Sequence, residues 1–201
     1  MVDSQLRTNG VNAPWIMAAM LDVQREDFAP DNAAGVYMDR AIPLGHGRML
    51  NPPLTAGLML NAADVRTSDK VLLVGAGTGY LAALLVRRCA TLVAVEQDAA
   101  LAQSFSAKLS GVTLVTGPLT AGAPEDAPYD LILIDGGIET LPDALVAQLA
   151  EGGRVVTGLI EGPVSRLAAG VKRGAHLALR TVTDTEVAPL PGFQQVQEFV
   201  F

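Results

Sequence analysis

The stretch VLLVGAGTGYL, residues 71–81, carries the strongest structural signal in the chain. An apolar run that ends in glycine, followed by two further glycines at alternate positions and a second apolar run, is typical of a buried strand that turns directly into a helix. Glycine at Gly75, Gly77 and Gly79 lets the backbone turn tightly and brings its N–H groups and the helix N-terminus close to a ligand. We therefore predict a ligand-binding turn at this position.

Short apolar runs alternate with helical patterns from this loop onward. The runs are rich in branched aliphatic residues, which is typical of strands buried on both faces of a parallel sheet. Three helices are predicted between them: one after the loop, one that ends at Gly111, and one that starts with a cap at Thr140 and stops at Gly152. The alternation predicts a doubly wound, mostly parallel α/β sheet. The strand runs are KVLLVG, TLVAVE, VTLVT, YDLILID and GRVVTG.

The two ends of the chain follow other patterns. Residues 164–190 alternate over two runs around KRG, which predicts an antiparallel C-terminal hairpin. The segments NAPWIMAAMLDV and PLTAGLMLNAADV predict two helices with a loop-rich segment between them. We therefore predict one compact domain, in which residues 1–65 form an N-terminal helical cap with a substrate loop and residues 66–201 form the ligand-binding core.

Composition and charge narrow the class of protein. Half of the 201 residues are hydrophobic, so the chain can bury a substantial core. No apolar run approaches the ~20 residues of a membrane span, and the polar start lacks the pattern of a secretory signal. The single cysteine, Cys89, fits a reducing cytoplasm and an inert core position. A net charge of −7 with scattered Lys and Arg disfavours a nucleic-acid partner. We predict neither a membrane partner nor a metal site, and the oligomeric state stays open.

Three ligand classes use glycine loops of this kind. A nucleoside-triphosphate loop would need Gly-Lys-Ser/Thr, which the loop lacks. The dinucleotide fingerprint would need a glycine where Tyr80 stands. The remaining pattern, G-x-G-x-G, resembles the nucleoside-binding turn of class I methyltransferases, whose methyl donor is S-adenosyl-L-methionine. Glu96 ends the next predicted strand about twenty residues on, where a carboxylate can accept both ribose hydroxyls. The alternative for Glu96 is an ordinary surface carboxylate.

The resemblance extends to one methyltransferase family over most of the chain. KVLLVGAGTGYLAALL is similar to V-L-E-I-G-T-G-S-G-Y-Q-A-A-L-L of the protein-L-isoaspartate O-methyltransferases. VQREDFAP and YMDRAIPLGHGR resemble that family's V-P-R-E-x-F-V-P and Y-x-D-x-P-L-P-I-G-x-G-Q, and APEDAPYDLILIDGG and LVAQLAEGGRVV resemble its downstream segments. The matches run in order from about residue 3 to PLPGF near residue 193.

The resemblance implies a Rossmann-like methyltransferase sheet and methylation of L-isoaspartyl carboxylates in damaged proteins and peptides, a repair reaction. The acceptor carboxylate is already ionised at neutral pH, so positioning rather than general-base catalysis is expected. Residue by residue, the resemblance implies catalytic roles for Asn51 and Arg48 and acceptor contacts from Gly47, Met49 and Leu50. The implied donor-binding residues are Gly75, Ala76, Gly77, Thr78, Gly79, Tyr80, Glu96, Gln97, Gly117 and Asp135.

The tetrapeptide NPPL, residues 51–54, is close to the NPPY/NPPF of adenine-modifying methyltransferases. Those enzymes hold a flipped base partly by stacking, and Leu54 stands where an aromatic side chain would be needed. We interpret the segment as a helix start, with Asn51 as the cap and Pro53 in the first turn.

The acceptor loop departs from the family pattern. Asn51 and Met49 stand where the family has the Ser and Thr of T-I-S. Arg48 replaces a Gln, and it either pairs with a carboxylate or lies on the surface.

The donor site departs as well. Leu73 replaces the carboxylate before the glycines, and Pro118 replaces the Asp of G-D-G, so two donor contacts are expected to weaken. Asp135 is either a new ligand contact or part of a strand-end turn. Two alternatives therefore stay open: a non-catalytic member that kept the fold, and a methyltransferase for another small acceptor.

Overall fold

The fold is described from a computed structural model for residues 1–31 and 33–195, with the side chains of all of these except Val2 and Asp3. A seven-stranded mixed sheet, in the order β5-β4-β3-β6-β7-β8-β9, forms its centre, and β1 and β2 form a separate two-stranded hairpin. The strands are β1 (Ile42–Gly45), β2 (Arg48–Leu50), β3 (Lys70–Val74), β4 (Thr91–Glu96), β5 (Thr113–Thr116), β6 (Tyr129–Ile138), β7 (Leu149–Glu161), β8 (Val164–Val171) and β9 (Arg180–Asp184).

Five neighbouring strands of the sheet pair in parallel, as predicted: β5, β4, β3, β6 and β7. Side chains along the central strands alternate between two hydrophobic clusters, because successive residues of a strand point to opposite faces. On β3, for example, Val71 and Leu73 join one cluster, while Leu72 and Val74 join the other. The strands are thus buried on both faces, which explains their nearly continuous apolar sequences.

The C-terminal strands run antiparallel. β8 pairs with β7 on one side and with β9 on the other. The predicted hairpin around KRG is therefore confirmed, with an isolated bridge between Arg173 and His176 at its turn.

Five α-helices pack on the sheet or cover its edge: α1 (Pro14–Asp22), α2 (Pro53–Ala63), α3 (Tyr80–Leu85), α4 (Ala99–Lys108) and α5 (Asp143–Ala147). Short helical turns lie at Val2–Leu6, Arg7–Asn9, Arg25–Phe28, Leu119–Ala121 and Pro124–Asp126. Both N-terminal helices were predicted from the sequence. α4 begins with Asp98, whose side chain accepts hydrogen bonds from Ala100 N and Leu101 N.

Two predicted boundaries are wrong. The helix predicted to end at Gly111 ends at Lys108. The helix predicted between Thr140 and Gly152 is only α5, and its N-cap is Pro142. The chain leaves that helix early because Leu149 already pairs with Tyr129 as the first residue of β7. A sheet contact across 20 positions therefore overrides the local helical pattern.

Residues on both sides of position 65 share one hydrophobic cluster. Leu6, Ile16 and Leu60 belong to the same cluster as Val71 and Leu133. The boundary at residue 65 stays a prediction, but the N-terminal segment packs directly on the sheet.

The sheet order creates one topological switch point. The chain moves from β3 to β4 and β5 on one side, then crosses to β6 on the other side of β3. Ligand crevices in such sheets form at the carboxyl ends of the strands beside this switch. Gly75, Glu96 and Asp135 lie at or near the ends of β3, β4 and β6. The predicted donor residues therefore meet at one edge of the sheet.

None of the helices in residues 1–31 and 33–195 combines the length and the apolar composition needed to cross a membrane. Within the same residues, no group of three or more His, Cys, Asp or Glu side chains is arranged to hold a metal ion.

Candidate active site

The glycine loop connects the end of β3 to the start of α3. Gly75, Gly77 and Gly79 have φ values of 81°, 55° and 101°, in the region that glycine adopts most readily. A Cβ atom at Gly79 would lie 2.8 Å from a methyl group of Leu109 and 2.9 Å from the ring of Phe105. Gly79 therefore has a packing role that does not depend on a ligand. The three glycines alone do not establish a binding site.

The Glu96 carboxylate lies against this loop and is fully buried. Its Oε2 accepts a hydrogen bond from Gly77 N at 2.7 Å. Its Oε1 accepts from Gln97 N at 2.9 Å and from Asp98 N at 3.1 Å. Glu96 is therefore not an ordinary surface carboxylate. It is held by backbone N–H groups from the glycine loop and from the turn after β4.

Arg48 supplies the fourth hydrogen bond to this carboxylate. Its Nη1 lies 2.6 Å from Glu96 Oε1, and its Nη2 donates to Gly75 O at 3.0 Å. The side chain is 3% exposed. The interpretation of Arg48 as a surface residue is thus wrong, and its carboxylate partner is one that the protein itself provides. The Arg48 guanidinium, which comes from the β1–β2 hairpin, therefore links Gly75 of the glycine loop to Glu96 at the end of β4.

Two leucines also lie against the loop. A Cβ atom at Gly75 would come within 3.2 Å of both methyl groups of Leu190, and one at Gly136 would collide with the same side chain. A Cβ atom at Gly77 would lie 3.3 Å from a methyl group of Leu44. The edge of the crevice is therefore covered by apolar side chains from the hairpin and from the C-terminal tail.

Backbone hydrogen bonds hold the tail beside the sheet. Gly137 N donates to Ala188 O at 2.7 Å, and Leu190 N donates to Gly137 O at 2.8 Å. The segment around Pro189 thereby pairs in parallel with the end of β6. This pairing sets Leu190 over the switch point.

Asn51 does not cap a helix, which corrects the sequence-based prediction. Helix α2 starts at Pro53 with Pro52 as its N-cap and without a side-chain cap. The Asn51 amide instead donates from Nδ2 to Asp135 Oδ1 at 2.7 Å and accepts from Ala188 N at 3.0 Å. Asn51 therefore ties the acceptor loop to the end of β6 and to the tail.

Asp135 lies within the same network. Desolvation raises the pKa of its carboxyl group above the ordinary value of 3.8. The hydrogen bond from Asn51 and the positive charges of Arg48 and Arg25 oppose this shift, whereas the charge of Glu96 adds to it. The carboxyl groups of Glu96 and Asp135 are therefore held by different partners, Arg48 and Asn51.

Arg25 is a residue of this network that the sequence analysis did not single out. It is fully buried, donates from Nε to Val36 O at 2.9 Å, and donates from Nη2 to Asn51 O at 2.5 Å. Its guanidinium lies 4.7 Å from the centre of the Tyr80 ring. Burial lowers its pKa. The signal was present in VQREDFAP, where Arg25 stands at a position that matches the family.

Two side chains of the glycine loop point to the N-terminal segment. Thr78 Oγ1 donates to Phe28 O at 2.5 Å. The buried Tyr80 ring packs against Phe28, with ring centres 5.8 Å apart. Only the backbone of Thr78 is therefore free to serve a ligand.

The remaining predicted residues differ in how far they are buried. Ala76 is buried, and its N donates to Val95 O. Leu50 is buried in the core and Met49 is half-buried, while Gly47 is exposed in the hairpin turn. Gln97 is exposed, and Gly117 is half-buried at the end of β5. Because the side chain of Leu50 is buried, only its backbone could contact an acceptor.

Comparison with known proteins decides the family. The family model described as Protein-L-isoaspartate(D-aspartate) O-methyltransferase matches residues 1–193. The chain belongs to the protein-L-isoaspartate O-methyltransferase family. The predicted resemblance is therefore confirmed.

Relatives and solved structures agree with this assignment. A protein-L-isoaspartate O-methyltransferase from Methylorubrum extorquens is 42% identical over 161 residues, covering 78% of this chain and 71% of the relative. One from Koribacter versatilis is 34% identical over 204 residues, covering 96% and 90%.

Among solved structures, a protein-L-isoaspartate O-methyltransferase superposes with a TM-score of 0.80 at 24% identity, covering 92% of this chain and 63% of that one. A putative family member from Plasmodium falciparum in complex with S-adenosyl-L-homocysteine gives a TM-score of 0.76 at 18% identity, with 92% and 94% covered. At these identities the structures support the fold, and the predicted Rossmann-like sheet is confirmed.

The two donor-site departures have different structural settings. Leu73 is fully buried in the main hydrophobic cluster, so the charge that the family carries there is replaced by core packing. Pro118 starts the turn Leu119–Ala121, and Gly117 N donates to the Glu96 backbone oxygen at 3.1 Å. No atom of the described residues, its chain neighbours aside, would lie within 4 Å of a Cβ at Gly117. The end of β5 therefore keeps space, although it lacks the carboxylate.

Proposed function

We propose that this protein is an S-adenosyl-L-methionine-dependent carboxyl methyltransferase that acts on L-isoaspartyl residues of damaged proteins. The observation that carries the proposal is the hydrogen bond from Gly77 N to Glu96 Oε2, which joins the glycine loop to the acidic end of β4. The family match over residues 1–193 supports it. The relatives named above carry the same activity in their names.

The carboxyl edge of the sheet suits such a donor because the Glu96 carboxylate lies beside the glycine loop, where a ribose would need acceptors. The N–H groups of Gly75, Ala76, Gly77 and Gly79 already have acceptors within the protein. The side chains of Arg48, Leu44 and Leu190 occupy part of this crevice and must move aside. When bound, the donor supplies an electrophilic methyl group. The residues proposed to hold it are Gly75, Ala76, Gly77, Thr78, Gly79, Tyr80, Glu96, Gln97, Gly117 and Asp135.

The residues of this chain contribute positioning. An isoaspartyl carboxylate is ionised at neutral pH and is a competent nucleophile, so no residue has to remove a proton. Asn51 and Arg48 are proposed to orient that carboxylate, because an amide N–H and a guanidinium both donate to carboxylate oxygens. Gly47, Met49 and the backbone of Leu50 would line the acceptor beside them. Water must be kept away from the methyl group, and the apolar Leu44 and Leu190 suit that task.

The proposed location is the cytoplasm, and the proposed partners are proteins and peptides that contain isoaspartyl residues. A single cysteine, Cys89, is consistent with a reducing compartment. Burial raises the pKa of its thiol to about 11, which makes it a poor nucleophile.

The test is methyl transfer from labelled donor to an isoaspartyl peptide and to the same peptide with ordinary aspartate. We expect transfer to the isoaspartyl peptide alone. Equal transfer to both peptides would indicate a different acceptor. Absence of transfer to either, in a protein that binds S-adenosylhomocysteine, would favour a non-catalytic member of the family.

A further inference from the structure

The Glu96 carboxylate has little capacity left for a ligand. It accepts three backbone hydrogen bonds, from Gly77, Gln97 and Asp98, and a fourth from Arg48. A carboxylate offers about four lone-pair positions. One ribose hydroxyl would need one of them, and release of a single partner would provide it. Because the backbone donors are fixed by the fold, Arg48 is the partner that can leave.

We infer that Arg48 competes with the donor for Glu96, so that the ribose binds when the Arg48 guanidinium leaves Glu96, and the freed guanidinium can then bind another carboxylate. This inference rests on the proposed function for the identity of the donor. The contact with Gly75 O supports it, since the same guanidinium also covers the carbonyl at the start of the glycine loop. The Arg48 side chain therefore covers both the Gly75 carbonyl group and the Glu96 carboxylate.

The structure around Arg48 permits such an exchange. Arg48 lies on β2, and β1 and β2 pair only with each other among the described strands. Leu44, which covers Gly77, lies on the same hairpin. The turn of this hairpin contacts the N-cap of α4, where His46 Nδ1 lies 3.0 Å from Asp98 Oδ2. A shift of this small hairpin would remove the guanidinium and the leucine from the glycine loop in one movement.

The acceptor offers the second carboxylate. Arg48 is three positions from Asn51, in the loop that the proposed function assigns to the isoaspartyl group. A guanidinium binds a carboxylate bidentately, and an acceptor carboxylate would replace the interaction lost at Glu96. Donor binding would thus free Arg48 for the acceptor. By linkage the two ligands would bind with positive coupling, each tightening the other by the same factor.

The first test is calorimetric titration of S-adenosylhomocysteine into the wild type, Arg48→Gln, Arg48→Lys and Arg154→Gln. Arg48→Gln removes the competing charge, and we expect it to bind about tenfold more tightly than the wild type, the effect of one charge-assisted hydrogen bond. Arg48→Lys keeps a charge with fewer directed donors, so its affinity should lie between the two. Arg154 forms an ion pair with Asp69 outside the crevice, so Arg154→Gln should bind like the wild type.

Unchanged or weaker binding by Arg48→Gln would overturn the inference. If Arg48→Gln does not fold, Arg48→Lys decides, and binding no tighter than that of the wild type would have the same meaning.

The second test measures the coupling. An isoaspartyl peptide should bind the wild type at least about fivefold more tightly when S-adenosylhomocysteine is saturating, within the usual range of such couplings. This gain should vanish in Arg48→Gln. Equal peptide affinity with and without the nucleoside would overturn the exchange. Tighter nucleoside binding by Arg48→Gln, together with no methyl transfer by the wild type to the isoaspartyl peptide, would instead overturn only the proposed function.

Discussion

Two arginine–carboxylate pairs lie at opposite edges of the sheet, and they differ in what surrounds them. Arg48 and Glu96 meet at 2.6 Å at the carboxyl edge, beside the glycine loop, and both are buried. Arg154 and Asp69 meet at 2.5 Å near the start of β3, where Asp69 is buried and Arg154 is half-buried. Their chemistry is the same, so any difference in behaviour has to come from their position in the fold.

The pair between Arg154 and Asp69 joins three structural elements. Arg154 on β7 also donates from Nε to Ala63 O at the end of α2, at 3.1 Å. Asp69 Oδ2 also accepts from Arg66 N at 2.8 Å, just before β3. Every partner here is part of the framework. At the carboxyl edge, by contrast, we propose a second use for the carboxylate as a ribose acceptor, which would make the same kind of pair a competitor for a ligand.

The largest expected effect is on the stability of the protein when the pair between Arg154 and Asp69 is broken. We call the region around this pair the Asp69 edge. Asp69→Ala leaves the half-buried Arg154 guanidinium without its counter-charge and removes a charge-assisted hydrogen bond, so the free energy of unfolding should fall by about 2–3 kcal/mol. Urea denaturation monitored by circular dichroism measures the change. The affinity for S-adenosylhomocysteine, measured on the folded fraction, should stay the same. A weaker affinity would mean that the two edges are coupled and that the comparison fails.

A smaller effect separates the two arginines by thermal unfolding. Arg48→Gln and Arg154→Gln should both lower the midpoint in buffer. A tenfold gain in affinity adds about 1.4 kcal/mol of stabilisation at saturating ligand, so S-adenosylhomocysteine should raise the midpoint of Arg48→Gln by about 3–6 °C more than that of Arg154→Gln. Equal ligand-induced shifts would show that the two pairs have the same role.

Asp135 gives the carboxyl edge a pH dependence. Its folded-state pKa is raised, mainly by desolvation, so the folded protein holds the proton more strongly than the unfolded chain does. Its contribution is therefore neutral below the ordinary value of 3.8, and it destabilises increasingly as pH rises through the folded-state pKa. The free energy of unfolding of the wild type should fall relative to that of Asp135→Asn over this range. Parallel pH profiles for the two proteins would contradict the assignment.

The smallest effect concerns the reactivity of Cys89. This residue is close to the Asp69 edge, because the next residue, Ala90, donates from its N to Asp69 O. With a thiol pKa of about 11, Cys89 should react slowly with a disulfide reagent at pH 8 in the native protein. Arg154→Gln should increase the rate by loosening this edge, and Arg48→Gln should increase it less. Saturating S-adenosylhomocysteine should leave the wild-type rate unchanged, and a change would show that ligand binding reaches this edge.

Much of the fold could be predicted because it depends on local patterns. The buried runs KVLLVG, TLVAVE and YDLILID have the apolar composition of central parallel strands, and the glycine loop follows the first of them. The β1–β2 hairpin could not be predicted in the same way, because strands of four and three residues carry too little pattern. The start of β7 was missed because the pairing of Leu149 with Tyr129 is set by the sheet.

Sequence separation decides how much of the candidate site a short motif can reveal. Glu96 and Gly77 are 19 positions apart, within a single strand–loop–helix–strand unit. Arg48 and Glu96 are 48 positions apart, and Asn51 and Asp135 are 84 apart. The local sequence around Asn51 favours a helix cap, but two distant groups bind its amide instead. Partner choice over such distances depends on the folded arrangement, which no short motif encodes.

The hydrogen bond from Ala188 N to Asn51 Oδ1 joins groups 137 positions apart, and this separation sets an order of events during synthesis. Domains fold from the N-terminus as the chain leaves the ribosome, at about 5–20 residues per second. The glycine loop, Glu96 and Arg48 are all translated well before the tail that carries Leu190. The tail that carries Leu190 is therefore the last part of the carboxyl edge to be made. Until it is made, Gly75 and Gly136 lack the apolar side chain that covers them in the finished protein.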